Sequence, residues 1–322
     1  MTRPRALAVV GPTASGKTAL SLELADTVGA EIISLDSRQV YRGMDIGTAK
    51  ATPLERARVP HHGLDLVEPT ETYSAGRFAR DARRWIAEIT GRGRVPLVVG
   101  GTGFFLRALN DPVFREPALD ADRVMALRDY LEGLSRDTLE RWVRMLDPAR
   151  AAVAVEGGPQ RLTRTLEIAL LTGRPLTWWH REAPPDAPPV STLTVVLQLP
   201  RAELDRRIDA RVGRMVQGGL VEEVRALLDR GVPEDAPGMT GVGYREIVGF
   251  LRGRWSLEEA MERMRRSTRR YARRQLTWFR NQLPDSGVLR VDARRPPSEL
   301  APWITGRWVA ARGGELQTGG EG

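Results

Sequence analysis

The sequence predicts an α/β fold: a parallel sheet with helices on both faces, interrupted by an all-helical insertion domain. Short apolar segments alternate with amphipathic helical patterns in both the first and the last third of the chain. This alternation is typical of a parallel sheet whose two faces are covered. A glycine-rich loop follows the first apolar segment. Between about residues 111 and 189 only helical patterns occur.

The first strand is predicted at ALAVV, residues 6–10, and is followed by the loop GPTASGKT and a helix. AEIISLDSRQVY, residues 30–41, predicts a second strand that ends at Asp36. GRVPLVVGGTGFFLRAL, residues 93–109, predicts a third buried strand, a glycine turn and a helix. STLTVVLQLP, residues 191–200, predicts a late strand, and helical patterns occupy residues 201–231 and 256–280.

These elements divide the chain into a discontinuous core, residues 1–110 and 190–285, and a helical insertion, residues 111–189. The insertion ends in the stiff, proline-rich segment EAPPDAPPV, residues 182–190. Residues 286–322 are expected to form a C-terminal extension. Its last segment, ARGGELQTGGEG, has the composition of a disordered tail.

The positive charge is concentrated in one segment. The net charge is +8, and RMRRSTRRYARRQLTWFR, residues 263–280, contains eight arginines and no acid. The rest of the chain therefore sums to zero. A localised contact with a polyanion explains this distribution, and so does a solvated helix face. Both interpretations stay open on composition alone.

Several classes of protein are excluded or disfavoured. The chain has no cysteine, which excludes disulfides and thiolate metal sites, and its histidines are His61, His62 and His180. No apolar run is long enough for a membrane span. The N-terminal residues are predicted to lead directly into a core strand, so we expect no signal peptide. We expect a cytoplasmic protein without a membrane partner, and a monomer.

The loop GPTASGKT matches the phosphate-binding pattern G-x-x-x-x-G-K-[ST] between a strand and a helix, so the sheet is of the P-loop type. The amides of such a loop converge on an anion, and the helix N-terminus adds positive partial charge. Lys17 supplies a full charge, and the Thr18 hydroxyl suits Mg²⁺. The predicted diphosphate-binding residues are Gly11, Pro12, Thr13, Ala14, Ser15, Gly16, Lys17 and Thr18.

A carboxylate is expected opposite this loop. The third strand has no acid at its end, whereas Asp36 ends the second strand. Because ligands bind at the carboxyl ends of parallel strands, Asp36 is expected to face the loop. It could serve as a general base, a Mg²⁺ ligand or a turn cap.

These residues fit two reactions. In one, a phosphoryl group is transferred to a hydroxyl that Asp36 activates. In the other, the loop stabilises a diphosphate leaving group while a carbon fragment is transferred. The residues alone favour the kinase as the commoner use of such a loop. A noncatalytic RNA-binding protein that senses nucleotide is a third hypothesis.

Beyond the loop, the chain resembles the tRNA dimethylallyltransferase family from about Val9 to Leu283. The resemblance rests on GPTASGKT, DSRQVYRGMDIGTAK (36–50), YSAGRFARDA (73–82), PLVVGGTG (96–103), PQRLTR (159–164), GVGYREI (241–247) and YARRQLTWFR (271–280). The second of these is the most specific, whereas the phosphate loop is shared by many families.

The resemblance implies transfer of a dimethylallyl group from dimethylallyl diphosphate to N6 of the adenine 3′ to the anticodon, adenosine-37 of tRNA. Diphosphate would be released, with Mg²⁺ as cofactor. The catalytic residues would be Asp36 as base, Lys17, Thr18 as the metal ligand, and Arg211 as a second cation, with Arg207 as the alternative.

The resemblance also implies contacts with the tRNA anticodon stem-loop. The expected tRNA-binding residues are Asp36, Ser37, Arg38, Gln39, Thr102, Arg123, Gln160, Arg161, Leu162, Thr163, Arg164, Thr240, Gly241, Val242, Gly243, Tyr244 and Arg245. Arg123 lies one place away from the arginine the family often shows. The arginines of residues 263–280 would contact phosphates. Tyr271, Trp278 and Phe279 are interpreted as core residues.

Overall fold

A computed structural model describes residues 5–111, 113–114, 117–183, 185–284 and 287–313. The strands are β1 Ala6–Val10, β2 Ala30–Leu35, β3 His61–His62, β4 Val95–Gly100, β5 Val113–Phe114, β6 Pro185–Ala187, β7 Thr192–Gln198 and β8 Val288–Asp292. The helices are α1 Lys17–Val28, α2 Pro53–Arg58, α3 Ala75–Gly91, α4 Gly103–Asn110, α5 Ala121–Glu132, α6 Arg136–Leu146, α7 Ala151–Glu156, α8 Pro159–Thr172, α9 Leu176–Glu182, α10 Arg201–Gln217, α11 Leu220–Asp229, α12 Tyr244–Leu251, α13 Leu257–Gln282 and α14 Pro297–Ala311.

The chain divides into two compact units, residues 1–111 with 189–322, and residues 112–188. The first contains a six-stranded sheet in the order β3-β2-β4-β1-β7-β8, with every pair parallel. The predicted fold class is therefore confirmed.

The residues of β1 alternate between two cores, one on each face of the sheet. Ala6, Ala8 and Val10 join the cluster that includes α3, α12 and α13, whereas Leu7 and Val9 join the cluster that includes α1 and α14. All five are fully buried. This alternation explains why the strand is apolar throughout.

The core continues past residue 285, where the sequence analysis ends it. β8 pairs with β7 as an edge strand, and α14 packs on α1 through Leu300, Ile304 and Trp308. Trp308 is 1% exposed. Because β8 is a half-buried edge strand, it needs few apolar residues and gives a weak strand pattern. For this reason the composition predicted a C-terminal extension instead of a continuation of the core. Of the tail predicted to be disordered, residues 314–322 lie outside the described part of the chain.

Among its described residues, the second unit is helical apart from one short antiparallel ladder, β5 with β6, which joins its two ends. Helices α5 to α8 surround a small apolar core that includes Leu131, Val143, Leu162 and Leu166. The side chain of Glu167 on α8 is buried, and its carboxylate forms ion pairs with Arg128 and Arg164.

Helix α13 carries the basic segment. Ser256 caps it, since its hydroxyl accepts a hydrogen bond from the Glu259 amide at 3.2 Å and Glu259 Oε2 accepts one from the Ser256 amide at 2.7 Å. One face is buried, including Met264, Gln275 and Phe279. The opposite face exposes most of the arginines. The same helix therefore reaches the core and presents charge to solvent.

A buried carboxylate in β2 gives the fold a pH-dependent contribution. Glu31 accepts hydrogen bonds from Arg92 Nε at 3.1 Å and Arg92 Nη2 at 2.8 Å, and contacts His62 Nε2 at 2.8 Å. These partners, Arg92 foremost, hold the pKa of Glu31 below its usual value. The stabilisation is therefore complete above the unfolded-state pKa of about 4.5 and is lost as the pH falls through the lower folded-state pKa.

We expect Glu31→Gln to lower the free energy of unfolding at pH 7 by about 1–3 kcal/mol, because charge-assisted hydrogen bonds are lost. The difference from the wild type should shrink in denaturant titrations at progressively lower pH. Glu23→Gln is the matched control, since Glu23 is half exposed and forms a longer ion pair, with Arg58 at 3.6 Å. Equal effects of the two changes would contradict this interpretation.

Candidate active site

The loop after β1 adopts a strained, glycine-dependent conformation. Gly16 has φ 92° and Ala14, which is not glycine, has φ 63°. A Cβ on Gly11 would lie 3.0 Å from both Cβ and the carbonyl oxygen of Leu197. Helix α1 begins at Lys17, so its free amides point into the loop. Strain of this kind is typical of functional sites.

Lys17 is held inside this loop. Its ammonium donates hydrogen bonds to Gly11 O at 3.1 Å and Pro12 O at 2.7 Å. Burial and the nearby charge of Arg211 lower the pKa of Lys17 to about 7, although Asp36 acts in the opposite direction. An anion in the loop would supply the counter-charge that a buried ammonium lacks. Pro12 has no amide hydrogen, so it contributes its carbonyl to Lys17 instead of donating to a ligand.

Asp36 directly follows β2, and β4 separates β2 from β1. Its Oδ1 accepts a hydrogen bond from the Arg38 amide at 2.8 Å, which fixes the turn. The amide of Ser37, the residue between Asp36 and Arg38, donates a hydrogen bond to Thr102 Oγ1 at 3.1 Å. The charge of Asp36 also influences the pKa of Lys17, Arg211 and Tyr271. The carboxylate therefore lies in the same electrostatic environment as the loop.

The loop and Asp36 line one cleft of about 770 Å³. Arg211 on α10 lies in it with one recorded hydrogen bond, from Nη2 to Thr48 O at 3.5 Å, and burial lowers its pKa. Arg207, the alternative cation, is bonded to Glu203 Oε1 at 2.6 Å. Arg211 thus has more donors available for a ligand than Arg207.

The residues after Asp36 connect the cleft to two other loops. Arg38 Nη1 donates to Pro237 O at 2.5 Å and to Thr240 Oγ1 at 3.3 Å. Gln39 Oε1 accepts from Ser34 Oγ at 2.8 Å, and Gln39 Nε2 donates to Ala49 O at 3.1 Å. The amide of Gln39 is therefore committed to protein contacts. Ser37, Arg38 and Gln39 all line the cleft.

The late loop is only partly available to a ligand. Thr240, Val242 and Arg245 line the cleft, whereas Gly241 and Gly243 are buried. Tyr244 is 1% exposed, and its hydroxyl donates to Glu223 Oε1 at 2.6 Å. The Tyr244 side chain therefore packs in the core, and the predicted contact of this residue with tRNA stays a prediction.

The predicted residues of the insertion lie in the second unit. Arg123, in the first turn of α5, is exposed, as are Gln160 and Arg161 at the start of α8. Thr163 and Arg164 are half-buried. Leu162 is fully buried in the core of the unit. Its side chain lies on the inner helix face without access to solvent, and its expected contact with tRNA stays a prediction.

Gln275 on α13 is a site residue that the sequence analysis missed. Its Oε1 accepts a hydrogen bond from the Thr13 amide at 2.9 Å, and its Nε2 donates to Gly101 O at 2.9 Å. It is 6% exposed. One amide of the phosphate loop is thus directed to Gln275 and away from any ligand. Its place on the packed face of α13, four residues after Tyr271, was the available signal.

We expect Gln275→Met to weaken binding of inorganic diphosphate by about tenfold, because the Thr13 amide and the Gly101 carbonyl lose their buried partner. Gln275→Glu retains the acceptor for Thr13 and should lose less affinity. Isothermal titration calorimetry measures both. Thr277→Val, on an exposed position of the same helix, should bind like the wild type. Unchanged affinity in Gln275→Met would refute the positioning role.

Glu223 on α11 is a second missed residue. Its carboxylate accepts hydrogen bonds from three consecutive amides, Asp45 and Ile46 with Oε2 at 2.8 and 2.7 Å and Gly47 with Oε1 at 3.0 Å. Tyr244 adds its hydroxyl to Oε1. Glu223 therefore fixes the loop whose next residues, Thr48 and Ala49, line the cleft.

The residues present fit a magnesium ion that is bound mainly through phosphate. Among the described residues, no group of three or more acidic or histidine side chains could hold a metal by itself. Thr18 and Asp36 line the same cleft with oxygen donors, and the buried Ser15 hydroxyl has no hydrogen-bond partner in the described structure. Mg²⁺ commonly takes one or two protein oxygens together with substrate phosphates and water.

Within the described part of the chain, no helix is both long and apolar enough to span a membrane.

Comparisons with known proteins show the family to which the chain is similar. The IPP transferase family profile matches residues 39–282, and the isopentenyl transferase profile matches residues 4–59. A tRNA dimethylallyltransferase of Thermomicrobium roseum is 50% identical over 283 residues, 86% of this chain and 84% of that protein. One of Roseiflexus sp. is 44% identical over 306 residues, 95% of this chain and 99% of that protein.

Solved structures give the same result. The full-length tRNA isopentenylpyrophosphate transferase of Bacillus halodurans is similar with a TM-score of 0.67 and 36% identity, covering 96% of this chain and 98% of that one. A eukaryotic dimethylallyltransferase acting on tRNA is similar with a TM-score of 0.81 and 28% identity, covering 95% of this chain and 80% of that one. The chain belongs to the tRNA dimethylallyltransferase family.

Proposed function

We propose that the protein transfers a dimethylallyl group from dimethylallyl diphosphate to N6 of adenosine-37 in tRNA and releases diphosphate. Besides the membership of this family, one structural observation supports the proposal. A phosphate loop with Lys17 and the half-buried cation Arg211 shares one cleft with the carboxylate of Asp36. Such a cleft can hold an anionic leaving group and a base at the same time. The kinase that the residues alone favoured does not agree with the family.

The loop amides, Lys17 and Arg211 hold the diphosphate of the donor. As the bond between the allylic carbon and oxygen breaks, negative charge develops on the diphosphate, and these fixed cations and dipoles stabilise it. Thr18 and the diphosphate oxygens would hold Mg²⁺, which would supply further charge stabilisation when bound. Positive charge on the departing group is delocalised over the allylic carbons.

Asp36 removes the proton from the adenine amine. An exocyclic amine is a weak nucleophile, because its lone pair is delocalised into the ring. The new bond joins N6 to the allylic carbon, the N–H bond breaks, and the proton passes to the Asp36 carboxylate. The turn that orients this carboxylate depends on the Arg38 amide and on Thr102, which bonds to Ser37. Asp36, Ser37, Arg38, Gln39 and Thr102 form the path of the target base.

The adenine must leave its stack to reach such a cleft, as in other enzymes that modify a base. Thr240, Val242 and Arg245 contact the RNA near the cleft, and Arg123, Gln160, Arg161, Thr163 and Arg164 of the insertion contact the anticodon stem-loop. The monomeric state and the cytoplasmic location stay predictions.

Incubating the protein with an anticodon stem-loop RNA and dimethylallyl diphosphate tests the proposal. We expect the RNA to gain the mass of one dimethylallyl group, with loss of one hydrogen, and free diphosphate to appear. A parallel reaction contains γ-labelled ATP in place of the prenyl donor. Transfer of that label to an acceptor, without any mass gain on the RNA, would show a kinase and refute the proposal.

The exposed arginines of α13 should set the salt dependence of tRNA binding. Arg266, Arg270 and Arg273 are exposed and form no ion pair within the described residues. Replacing all three by glutamine should reduce the slope of log Kd against log salt by about 2. Arg252→Gln with Arg254→Gln is the control, because both arginines pair with Glu234. Filter binding at several salt concentrations measures the slope. An unchanged slope in the triple variant would show that these arginines of α13 face solvent and do not contact tRNA phosphates.

A further inference from the structure

An exposed aromatic side chain lies beside the target-base path and has no role in the chemistry above. Phe104, in the first turn of α4, is 54% exposed. It follows Thr102 by two residues, and Thr102 bonds to the amide next to Asp36. Phe104 is one of the large apolar side chains that the described structure leaves exposed. A single exposed apolar residue is common, so its neighbours decide whether it belongs to a binding surface.

Phe104 is not isolated from other aromatic surface. Its ring contacts the edge of Trp278 on α13, with centroids 6.3 Å apart and planes at 60°. Trp278 is half-buried and lies against Gly103, where a Cβ would come within 2.3 Å of the indole. The indole is therefore held rigidly by the start of α4. Rigid aromatic faces that lose little freedom on binding are suitable platforms for stacking.

The surroundings favour a polyanion. Trp278 lines a groove of about 480 Å³ together with Arg270, Arg273 and Arg274. All three arginines are exposed, and among the described residues none of them forms an ion pair. Arg270 and Arg274 also line the catalytic cleft, so the groove is continuous with it. Aromatic faces interleaved with unpaired arginines are typical of single-stranded nucleic acid sites.

We propose that Phe104 and Trp278 form a stacking site for the base of a nucleotide that flanks the target adenine in the anticodon loop. The inference rests on the proposed function, since it takes RNA as the occupant of the cleft. When the target base leaves its stack, a neighbouring base loses a stacking partner. The Phe104–Trp278 surface replaces that partner, and the three arginines hold the adjoining phosphates.

The test compares three RNAs: an intact anticodon stem-loop, and two versions with an abasic residue on the 5′ or the 3′ side of the target adenine. Fluorescence anisotropy gives Kd for each without donor. We expect Phe104→Ala to raise Kd for the intact loop about tenfold, as for the loss of one stacked base. Phe104→Trp should keep the wild-type affinity. On one of the two abasic RNAs, the wild type and Phe104→Ala should bind equally.

Leu54→Ala is the matched control, because Leu54 is an apolar side chain, 84% exposed, at the start of a helix in the same unit. Its Kd should equal that of the wild type. The stacking site is refuted if Phe104→Ala binds the intact loop normally, or if its Kd ratio to the wild type is the same on all three RNAs. Prenyl transfer by the wild type is measured on the intact loop. Its absence would refute the proposed function, whereas normal transfer with no Phe104 effect would refute the stacking site alone.

Discussion

Asp36→Asn is expected to lower kcat for prenyl transfer by about 10²–10⁴-fold, the usual contribution of a general base. Asparagine retains an oxygen that can accept the Arg38 amide bond, so the turn after β2 stays intact. It cannot accept the proton from the adenine amine. Single-turnover kinetics with saturating donor and RNA measure the chemical step directly.

Binding measurements separate catalysis from structure in this variant. The Kd of the anticodon stem-loop for Asp36→Asn should stay near the wild-type value, as should the melting temperature. A loss of RNA affinity that matches the loss of rate would make Asp36 a structural or binding residue. Asp229→Asn is the matched control, since Asp229 is an exposed carboxylate at the end of α11 and does not line the cleft.

Arg211→Met is expected to lower kcat/KM for dimethylallyl diphosphate by about 10²–10³-fold, the usual cost of removing one charged donor from a developing anion. Stability should move in the opposite direction or stay unchanged. Arg211 makes one long hydrogen bond in the described structure, and its charge opposes that of Lys17. Replacing this half-buried charge, which forms no ion pair within the described residues, by an apolar side chain of similar length removes a desolvation cost, and the lost attraction to Asp36 offsets part of that gain.

A fall in kcat/KM without a loss of thermal stability is the result that would identify Arg211 as a site residue. Thermal unfolding and steady-state kinetics are measured on the same preparations. Arg206→Met is the matched control on α10, because Arg206 is exposed and pairs with Glu203. Lower stability together with lower activity in Arg211→Met would indicate a structural residue. Normal kcat/KM would remove Arg211 from the diphosphate site.

The parts of the site predicted from sequence are those in which adjacent residues carry the chemistry. The phosphate-loop pattern is contained in eight consecutive residues, 11–18, and Asp36 follows a strand whose end must lie at the ligand-binding edge of a parallel sheet. Local spacing therefore determines both. The sheet itself follows from apolar runs, since its central strands are buried on both faces.

The rest depends on contacts between residues far apart in the chain. Gln275 lies within the motif YARRQLTWFR and Glu223 lies outside the quoted motifs, but the role of each depends on main-chain amides and carbonyls of distant loops. Tyr244 and Leu162 lie within family motifs, but motifs do not separate a side chain that packs from one that binds. The edge strand β8 was missed because an edge position needs few apolar residues.

The bond from Thr13 to Gln275 joins residues separated by 262 positions. On the ribosome, where N-terminal segments fold first, the phosphate loop emerges long before the glutamine that completes it. The hydrogen bond from the Gln39 side chain to Ala49 O joins residues only 10 positions apart and can form early. The hydrogen bond from the Gly47 amide to Glu223 spans 176 positions and must form later. The phosphate loop is therefore expected to reach its full affinity for an anion only after α13 has been synthesised. A truncated chain lacking α13 would carry the phosphate-loop sequence without a finished site, so incomplete products should not compete with the mature enzyme for donor.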